Sequence, residues 1–405
     1  MYDVEKIRQD FPMITNHPEL IYFDNGATTY KPKKVINAVN SFYTDFTSNV
    51  ERGDYETAIK ADKAYDHTRE VIGRLINCDS REVAFFSNIT SALNQVVYGL
   101  SKLFKKGDTV LLTQAEHASN LLPWFRLKEE QGINIAYIPL DKQGRIDLSD
   151  FEKCIDETVK AVSVAYVTNV LGSVQPLKEM ISICQKHGIL SVVDAAQAIG
   201  HRKVDVKDLG CDFLCFSSHK MCGPDGAGVM YGRYELIKDM PPLLLGGGMN
   251  ARFNNDGTII YKDAPQRFEA GTPNIEGVIG LSAAAEYLMD IGLDSIHEHE
   301  LKLRAYLLDK MLKLDNIEIY NPDDISGPLT FNVKDVFAQD AAGYLAANNV
   351  CVRSGNHCAK ILHNIIGTDQ SIRASLYLYN TEAEADRFAE LVSKIDLNSA
   401  VGIFF

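Results

Sequence analysis

Seven short apolar runs alternate with segments of helical periodicity over the first two-thirds of the 405-residue chain. The runs are rich in β-branched and aromatic residues, which favours strands, and strands that alternate with helices form a mostly parallel sheet covered by helices. The sequence therefore predicts an α/β fold. The predicted strands are 83–86, 110–112, 133–138, 162–167, 190–193, 213–216 and 228–231.

The pattern changes after the prolines at 241–242 and the glycines at 246–248, and a long helical stretch begins near Ile275. A chain of this length suggests about two or three domains. We therefore predict a large sheet-containing domain followed by a smaller C-terminal domain. The sequence assigns no role to the apolar end of the chain, 401–405, for which a docked tail is the ordinary interpretation.

Charge and composition exclude several kinds of partner. A formal net charge of −13 argues against a nucleic-acid surface and against a polybasic membrane anchor. Residues 1–10 mix charges into every turn without the apolar core of a signal peptide, and no later run approaches the length of a membrane span. We therefore expect a cytoplasmic protein without nucleic-acid or membrane partners.

The eight cysteines are scattered and form no C-x-x-C pair, which favours free thiols in a reducing cytoplasm over disulfides. Cys211, Cys215 and Cys222 cluster in sequence but straddle a predicted strand. Structural zinc sites use tighter paired spacings, so no metal site is predicted.

Lys220 ends an apolar run, 213–220, and a glycine-rich turn at 223–228 follows it. Asp194 ends another strand-like run, 189–194, and the 26 residues between the two side chains allow one helix and one strand. Either residue alone would more often be a lysine that reaches water or a capping carboxylate. Together they are the pair that pyridoxal phosphate needs, an amine for the Schiff base and a carboxylate for the pyridinium nitrogen. One helix and one strand between them could bring both side chains to the same edge of the sheet, and open α/β sheets bind ligands at the edge where the strands end.

A helix start at 87–91 precedes an apolar face at helical spacing. Hydroxyls and free amides at a helix N-terminus form an anion site, although capping alone would explain Thr90 and Ser91. Ser217 and His219 are expected at the same edge of the sheet. Their convergence favours a phosphate site.

His117 lies beyond the predicted strand at 110–112. A flat imidazole at the C-terminal end of a strand can stack on a cofactor ring, although a loop histidine is more often held by hydrogen bonds. Both roles are open on the residues alone.

Cys358 follows Arg353, Gly355 and His357 in a segment near the C-terminus. Such an electropositive and flexible setting favours a thiolate, although a small buried hydrophobe is an equally open interpretation. Arg373 lies 15 residues further on, and its planar guanidinium suits an α-carboxylate, whereas an isolated arginine more often forms a surface ion pair.

Five segments in order along the chain make it resemble a known family. The chain is similar to the pyridoxal-phosphate-dependent cysteine desulfurases of the class V aminotransferase group, in the branch of the SufS and CsdA proteins, from about Tyr22 to Asp386. The segments are 193–197 (VDAAQ), 217–220 (SSHK), 267–274 (RFEAGTPN), 353–358 (RSGNHC) and 373–376 (RASL), the last followed by Tyr379-Asn380.

The resemblance implies the pyridoxal-phosphate-dependent transferase fold of type I, with a mostly parallel seven-stranded sheet in the large domain and a smaller α+β C-terminal domain. It implies an N-terminal segment, 1–22, that packs with the small domain, a cofactor-binding domain at 23–274 and a small domain at 275–405 that carries the cysteine loop. It also implies a homodimer, because Thr272 would reach the cofactor of the second subunit.

The same resemblance implies that pyridoxal 5'-phosphate is the cofactor. Lys220 would form the Schiff base, Asp194 would hold the pyridinium nitrogen, and His117 would stack on the ring. Gln197 and Asn169 would reach the phenolic oxygen or the substrate. The residues expected around the phosphate are Thr90, Ser91, Ser217, His219 and Thr272.

The substrate implied by the resemblance is L-cysteine, whose carboxylate would be bound by Arg373 together with Arg353 and Asn169. Cys358 would accept the sulfur as a persulfide, alanine would leave, and the sulfur would pass to an acceptor protein of iron–sulfur cluster assembly. The implied catalytic residues are Lys220, Cys358 and His117.

The sequence departs from the family pattern at several positions. Ile89 stands where a threonine is common beside the phosphate, and Ala118 and Asn356 stand where histidines are frequent. The segment at 360–362 is also unusual. These changes surround the cysteine loop and leave the sulfur acceptor, rather than the cofactor, undetermined.

Three alternative functions remain open. A selenocysteine lyase, or another class V enzyme on a related amino acid, would share the pocket and the cofactor. An aminotransferase on the same fold would not need Cys358. A non-catalytic sulfur carrier or nucleotide-binding protein is the remote alternative, because no G-x-G-x-x-G follows the early strands and no P-loop occurs.

Overall fold

The structure is a computed structural model that describes residues 2–323 and 326–401. The N-terminal segment contains helices α1 (Val4–Arg8) and α2 (Pro12–Asn16) and strand β1 (Ile21–Tyr22). Of the apolar tail predicted at the C-terminus, residues 402–405 lie outside the described residues.

A seven-stranded sheet forms the centre of the large domain and confirms the strands predicted from the apolar runs. These strands are β2 (Val83–Phe86), β3 (Thr109–Leu112), β4 (Asn134–Tyr137), β5 (Val159–Ala165), β6 (Leu190–Asp194), β7 (Phe213–Ser217) and β8 (Gly228–Gly232). Their spatial order is β2-β8-β7-β6-β5-β3-β4. Neighbouring strands are parallel except at β8, which runs antiparallel to both β2 and β7.

Helices connect and cover these strands, as the alternation predicts. They are α3 (Lys33–Asp45), α4 (Glu56–Ile76), α5 (Ile89–Leu100), α6 (Ala118–Gln131), α7 (Leu148–Lys153), α8 (Leu177–His187), α9 (Val206–Leu209) and α10 (Tyr234–Ile237). A hairpin of β9 (Asn250–Phe253) and β10 (Ile259–Tyr261) follows the sheet. Short 3-10 turns lie at Ser80–Glu82, Ser101–Leu103, Ser218–Lys220 and Gln266–Phe268.

Both faces of the central sheet are buried. Val192 and Phe213 enter one hydrophobic core, and their chain neighbours Val193 and Leu214 enter the other. Because successive side chains of a strand point to opposite faces, a strand buried on both faces reads as a continuous apolar run. This is why the strands were visible in the sequence.

The polar ends of two neighbouring strands emerge at one edge of this sheet. β6 ends at Asp194, which pairs in register with Cys215, and β7 ends at Ser217, which pairs with Gly228. The carboxyl edge of a parallel sheet is where α/β folds bind ligands.

Two long helices, α11 (Ile275–Ile291) and α12 (Leu293–Met311), confirm the helical stretch predicted from about Ile275. Helix α11 packs on α3 and α4, and its apolar side chains lie in the core of the large domain. Leu303 and Leu307 of α12 lie in a separate core. The boundary at 274/275 stays a prediction, since packing alone would place α11 with the large domain.

The C-terminal region is an α+β unit around a four-stranded antiparallel sheet of order β11-β12-β15-β14. Strand β1 pairs in parallel with β13, which joins the N-terminal segment to this unit. The elements of the unit are β11 (Ile317–Ile319), β12 (Leu329–Val333), α13 (Ala338–Ala347), β13 (Val350–Cys351), β14 (Arg353–Gly355), α14 (Lys360–Ile366), β15 (Ser371–Ala374), α15 (Glu382–Ser393) and α16 (Leu397–Val401).

Within the described residues, no helix has both the length and the apolar character that crossing a membrane requires.

Candidate active site

A cavity of about 310 Å³ opens at the carboxyl edge of the central sheet, between the sheet and the C-terminal unit. It brings together all the predicted site residues except Ser91 and Thr272. The predicted residues that line it are Thr90, His117, Asn169, Asp194, Gln197, Ser217, His219, Lys220, Arg353, Cys358 and Arg373.

Lys220 and Asp194 face this cavity from the ends of adjacent segments. Asp194 is buried, and its Oδ1 accepts a hydrogen bond from the Ala196 N–H at 2.9 Å. Burial raises the pKa of Asp194, while Lys220 opposes the rise. Burial also lowers the pKa of Lys220 to about 8, with Arg373 adding to the effect and Asp194 opposing it. A much larger fraction of this amine than of an ordinary lysine is therefore neutral and nucleophilic at physiological pH.

The N-terminus of α5 forms one end of the cavity. The N–H of Ile89 donates to Ser217 Oγ at 2.8 Å, and Thr90 Oγ1 lies 2.7 Å from Ser119 Oγ. Gly228 allows this approach, because a Cβ there would lie 2.5 Å from the backbone carbon of Asn88. Hydroxyls beside the free end of a 12-residue helix are suited to an anion.

Two residues predicted at the phosphate lie outside this cavity. Ser91 completes a capping box, since its Oγ accepts from the Asn88 N–H at 3.2 Å and its N–H donates to Asn88 Oδ1 at 3.0 Å. Thr272 is exposed and lines a neighbouring cavity of about 220 Å³, which Ser91 also lines. Their contact with the cofactor stays a prediction.

His117 is held by the start of helix α6. Its Nδ1 accepts a hydrogen bond from the Ser119 N–H at 3.1 Å and lies 3.1 Å from Ser119 Oγ. Burial, with Lys220 and Arg373, lowers the pKa of His117 to about 4. The ring is therefore neutral, and the Ser119 N–H assigns its proton to Nε2.

Arg373 is buried beneath the loop that carries the cysteine. Its Nη1 donates to the Asn169 carbonyl at 2.9 Å, and its Nη2 lies 3.5 Å from Asp24 Oδ1. Arg353 lies 3.8 Å from the second oxygen of Asp24. Burial raises the pKa of Asp24, and both arginines oppose the rise. Asp24 was missed in the sequence, where residues 24–26 look like an ordinary turn.

Asn169 and Gln197 are engaged by the protein itself. Asn169 Nδ2 donates to the His357 carbonyl at 2.7 Å, and Gln197 Nε2 donates to the Gly26 carbonyl at 2.9 Å. Asn169 therefore links the sheet to the cysteine loop, and its Oδ1 is buried without a hydrogen-bond partner among the described residues.

Cys358 is exposed, whereas the other seven cysteines are buried or half-buried. His357 and Cys358 both have left-handed backbone torsions, with φ of 51° and 56°. The Cys358 carbonyl accepts a hydrogen bond from the Ala118 N–H at 2.8 Å. Strained backbone of this kind persists where neighbouring contacts hold it, and it places the thiol at the cavity mouth.

Three buried polar atoms of the cavity wall, Asn169 Oδ1, Arg373 Nε and His357 Nδ1, have no hydrogen-bond partner in the described part of the chain. Buried polar atoms are nearly always paired, so this cavity is suited to a polar ligand. With Lys220 for an imine bond, Asp194 for a ring nitrogen and the α5 terminus for a phosphate, the residues fit pyridoxal phosphate.

Comparison with known proteins agrees with this geometry. The family model for class-V aminotransferases matches residues 21–388. A probable cysteine desulfurase of Halalkalibacterium halodurans is 40% identical over 398 residues, which cover 97% of this chain and 98% of that protein.

Solved structures show the same likeness and confirm the predicted type I fold. A cysteine desulfurase of Thermococcus onnurineus NA1 matches with a TM-score of 0.93 at 38% identity, covering 96% of this chain and 97% of that one. The cysteine desulfurase CsdA of Escherichia coli matches with a TM-score of 0.91 at 30% identity, covering 100% and 99%. The chain therefore belongs to the class V aminotransferase family, among its cysteine desulfurases.

Proposed function

We propose that this protein is a cysteine desulfurase that converts L-cysteine to L-alanine and holds the released sulfur as a persulfide on Cys358. The observation that carries the proposal is that one cavity joins an exposed cysteine to Lys220, Asp194 and Arg373. An amine, a buried carboxylate and a buried guanidinium suit an amino-acid substrate, and the thiol adds a sulfur acceptor.

Pyridoxal phosphate, when bound, supplies an electron sink for the substrate's Cα. Asp194 would hold the ring nitrogen in its protonated form, and the α5 terminus with Thr90, Ser217 and His219 would hold the phosphate. Lys220, whose pKa lies at about 8, would take the Cα proton at its Nζ once the substrate amine has displaced it.

Arg373 would bind the substrate carboxylate. Its Nε has no partner among the described residues, and Asp24 is a distant and partly exposed counterion at 3.5 Å. Planar guanidinium groups bind carboxylates with two parallel hydrogen bonds. A carboxylate ligand would therefore complete the pairing of this side chain.

The Cys358 thiolate would attack the substrate's sulfur. The new S–S bond forms as the Cβ–S bond breaks, and the electron pair of the broken bond stays with the carbon skeleton, which is protonated and leaves as alanine. The sulfur remains on Cys358 as a persulfide. A loop at the mouth of a cavity suits delivery of that sulfur to another protein.

We further propose a cytoplasmic homodimer that supplies sulfur to an acceptor protein of iron–sulfur cluster assembly. Thr272 is exposed and lies outside the main cavity, which supports a role in the site of a second subunit. Leu244, Leu245 and Phe253 are also more than half exposed, which is unusual for large apolar side chains outside an interface.

The decisive experiment compares the absorption spectra of the wild type and Lys220→Ala, followed by alanine and sulfide assays after cysteine is added together with dithiothreitol, which reduces the Cys358 persulfide and releases its outer sulfur as sulfide. We expect a visible cofactor band and release of both products by the wild type, and no turnover by Lys220→Ala. Lys142→Ala, which changes an exposed lysine, is the matched control. A cofactor-loaded wild type that forms no sulfide would contradict the desulfurase.

Two variants separate the remaining proposals. Cys358→Ala should retain the cofactor and lose sulfur release, whereas an aminotransferase would be unaffected by the change. If Thr272 serves the second subunit, mixing inactive Lys220→Ala with impaired Thr272→Ala under subunit exchange should restore activity, because one site of each mixed dimer regains both residues. No restoration would argue against shared sites.

A further inference from the structure

A tight turn at residues 168–173 of the large domain meets the C-terminal unit beside the cavity. The Gly172 N–H donates to the Thr168 carbonyl at 3.0 Å, and the Thr168 N–H donates to the Ser173 carbonyl at 3.1 Å. The carbonyls of the four residues 169–172 each accept a hydrogen bond from a side chain of the C-terminal unit. In order along the turn, the donors are Arg373 Nη1 at 2.9 Å, Thr330 Oγ1, Asn321 Nδ2 at 2.8 Å and Ser326 Oγ at 3.4 Å.

The turn 168–173 also contacts the C-terminal unit through its backbone. Gly172 and Gly327 both have left-handed torsions, with φ of 72° and 67°. A Cβ on Gly172 would lie 2.8 Å from the Cα of Gly327, and a Cβ on Gly327 would lie 2.5 Å from the Cα of Gly172. Only glycine permits both the torsion and this approach. The two domains are therefore in direct backbone contact on this side of the cavity.

Asn321 is held rigidly on the side of the C-terminal unit. It is fully buried, and its Nδ2 donates to the Pro328 carbonyl at 2.7 Å as well as to the Leu171 carbonyl of the turn. Its Oδ1 accepts from the Thr330 N–H at 3.1 Å. Both hydrogens of the amide and one lone pair of its oxygen are thus engaged, which leaves this side chain a single orientation.

Thr330 connects this asparagine to the arginine of the cavity. Thr330 is fully buried on β12 and pairs in register with Arg373 on β15. Side chains directly opposite each other on paired strands project to the same face of the sheet. Thr330 and Arg373 therefore donate to two adjacent carbonyls of the turn, those of Val170 and Asn169.

The turn lies between two groups that must act on one substrate. Lys220 belongs to the large domain and Arg373 to the C-terminal unit, and both line the cavity. Under the proposed function, Lys220 acts at the substrate's Cα while Arg373 binds the carboxylate attached to that carbon. The guanidinium must therefore lie at a fixed distance from the amine, and a displacement of about 1 Å can lower a rate by roughly 100-fold.

We propose that Thr330 and Asn321 are positioning residues of the carboxylate site. They fix the turn 168–173, whose Asn169 carbonyl orients the Arg373 guanidinium, and they thereby favour amines that carry an α-carboxylate over amines that lack one. This inference deepens the proposed function and rests on the part of it that assigns the substrate's carboxylate to Arg373. Neither Thr330 nor Asn321 is among the residues that line the cavity, so both act through the turn.

Thr330→Val tests this role with little change in side-chain volume. Valine keeps the β-branched shape that strands favour, but it leaves the buried Val170 carbonyl without this donor. Thr330→Ser keeps the hydroxyl and is the matched control. L-alanine and ethylamine are the probes, because they differ only in the carboxylate, and spectral titration of the cofactor-loaded protein measures the binding of each without turnover.

We expect Thr330→Val to weaken the binding of L-alanine about 3- to 10-fold, the effect of one buried hydrogen bond, and that of ethylamine by less than about twofold. Thr330→Ser should bind both ligands as the wild type does. Equal weakening for both ligands would mean that the substitution merely disturbs the cavity. Unchanged binding of L-alanine by Thr330→Val would mean that this hydrogen bond does not orient Arg373, and either result would overturn the proposal.

A second measurement needs no variant. Because coupling between two sites is reciprocal, a carboxylate bound at Arg373 should stabilise the turn. The Gly172 and Ser173 amides are both hydrogen-bonded within the turn, to the carbonyl and the hydroxyl of Thr168. In the cofactor-loaded wild type, L-alanine should slow hydrogen exchange at these two amides more than ethylamine does at equal occupancy. Equal slowing by the two ligands would contradict the coupling and overturn the proposal.

These outcomes are distinct from those of the reaction itself. A wild type that prefers L-alanine to ethylamine but forms no sulfide from cysteine would overturn the desulfurase and leave the positioning role intact. A wild type that binds the two ligands equally would exclude the carboxylate site at Arg373, and the positioning role with it.

Discussion

The carbonyl oxygen of Cys358 accepts a hydrogen bond from the backbone N–H of Ala118 at 2.8 Å. Ala118 is the first residue of helix α6, and its neighbour His117 is the N-cap of that helix. One peptide unit of the large domain thus positions both the imidazole of the cavity and the loop that carries the thiol. Asn169 adds a second link, to the His357 carbonyl.

Replacing Ala118 with proline should break the first link without unfolding the helix. Proline is favoured at the first helical position, and His117 already has the extended torsions that a following proline requires. We expect cysteine turnover by Ala118→Pro to fall about fivefold, the effect of one hydrogen bond. Faster hydrogen exchange at 355–359 should accompany the loss. Ala118→Gly keeps the N–H and is the control, and wild-type turnover by Ala118→Pro would contradict the role of this bond.

Substitutions of Ser91 and Thr90 should have different effects, because Ser91 caps helix α5 whereas Thr90 is proposed to bind the cofactor. Because Ser91 completes the capping box of α5, Ser91→Ala should lower the free energy of unfolding by about 0.5–1 kcal/mol and leave cofactor affinity nearly unchanged. Thr90→Ala should weaken cofactor binding several-fold with little loss of stability. Urea unfolding measures the stability, and titration with pyridoxal phosphate measures the cofactor affinity. Weaker cofactor binding by Ser91→Ala with unchanged stability would instead indicate that Ser91 binds the phosphate.

In the cofactor-free protein, the burial of Lys220 should cost less free energy of unfolding as the pH rises from about 8 to 10.5. Burial lowers the pKa of Lys220 from 10.5 to about 8, so within this window the unfolded chain binds a proton that the folded chain does not. Stability rises with pH wherever the unfolded state binds more protons, here by up to about 3 kcal/mol. Lys220→Met removes this contribution. The free energy of unfolding of Lys220→Met should therefore exceed that of the wild type most at about pH 8, and this difference should become smaller as the pH rises to 10.5. A constant difference would contradict the shifted pKa.

Asp24→Asn should remove a counterion of the buried Arg373 guanidinium and thereby reveal its affinity for a ligand carboxylate. Removal of the carboxylate leaves a buried guanidinium without that counterion, which should lower the free energy of unfolding by about 1–3 kcal/mol. L-alanine supplies a carboxylate and should raise the melting temperature of the cofactor-loaded variant more than that of the wild type. Asp66→Asn, an exposed carboxylate 3.8 Å from Arg69, is the control and should show neither effect. Equal stabilisation by L-alanine would count against a carboxylate site at Arg373.

The central sheet was predictable because its strands are buried on both faces, which leaves continuous apolar runs such as 213–216. The reversal of β8 was not predictable, since a buried antiparallel strand has the same composition as a buried parallel one. Nor does the sequence reveal that α11 packs with the large domain. That contact depends on helices more than two hundred residues earlier in the chain.

The sequence by itself determined which residues are candidates for the reactive groups, Lys220, Asp194, Arg373 and Cys358, because an imine, a ring nitrogen, a carboxylate and a persulfide each require a particular side chain. Only the tertiary structure decided what positions them. The Ala118 N–H is a backbone group that almost any residue supplies, and the hydrogen bonds from Thr330 and Asn321 to the turn 168–173 depend on how the two domains pack. Such contacts arise when distant segments pack together, so they cannot be predicted from the composition of the chain or the spacing of its residues.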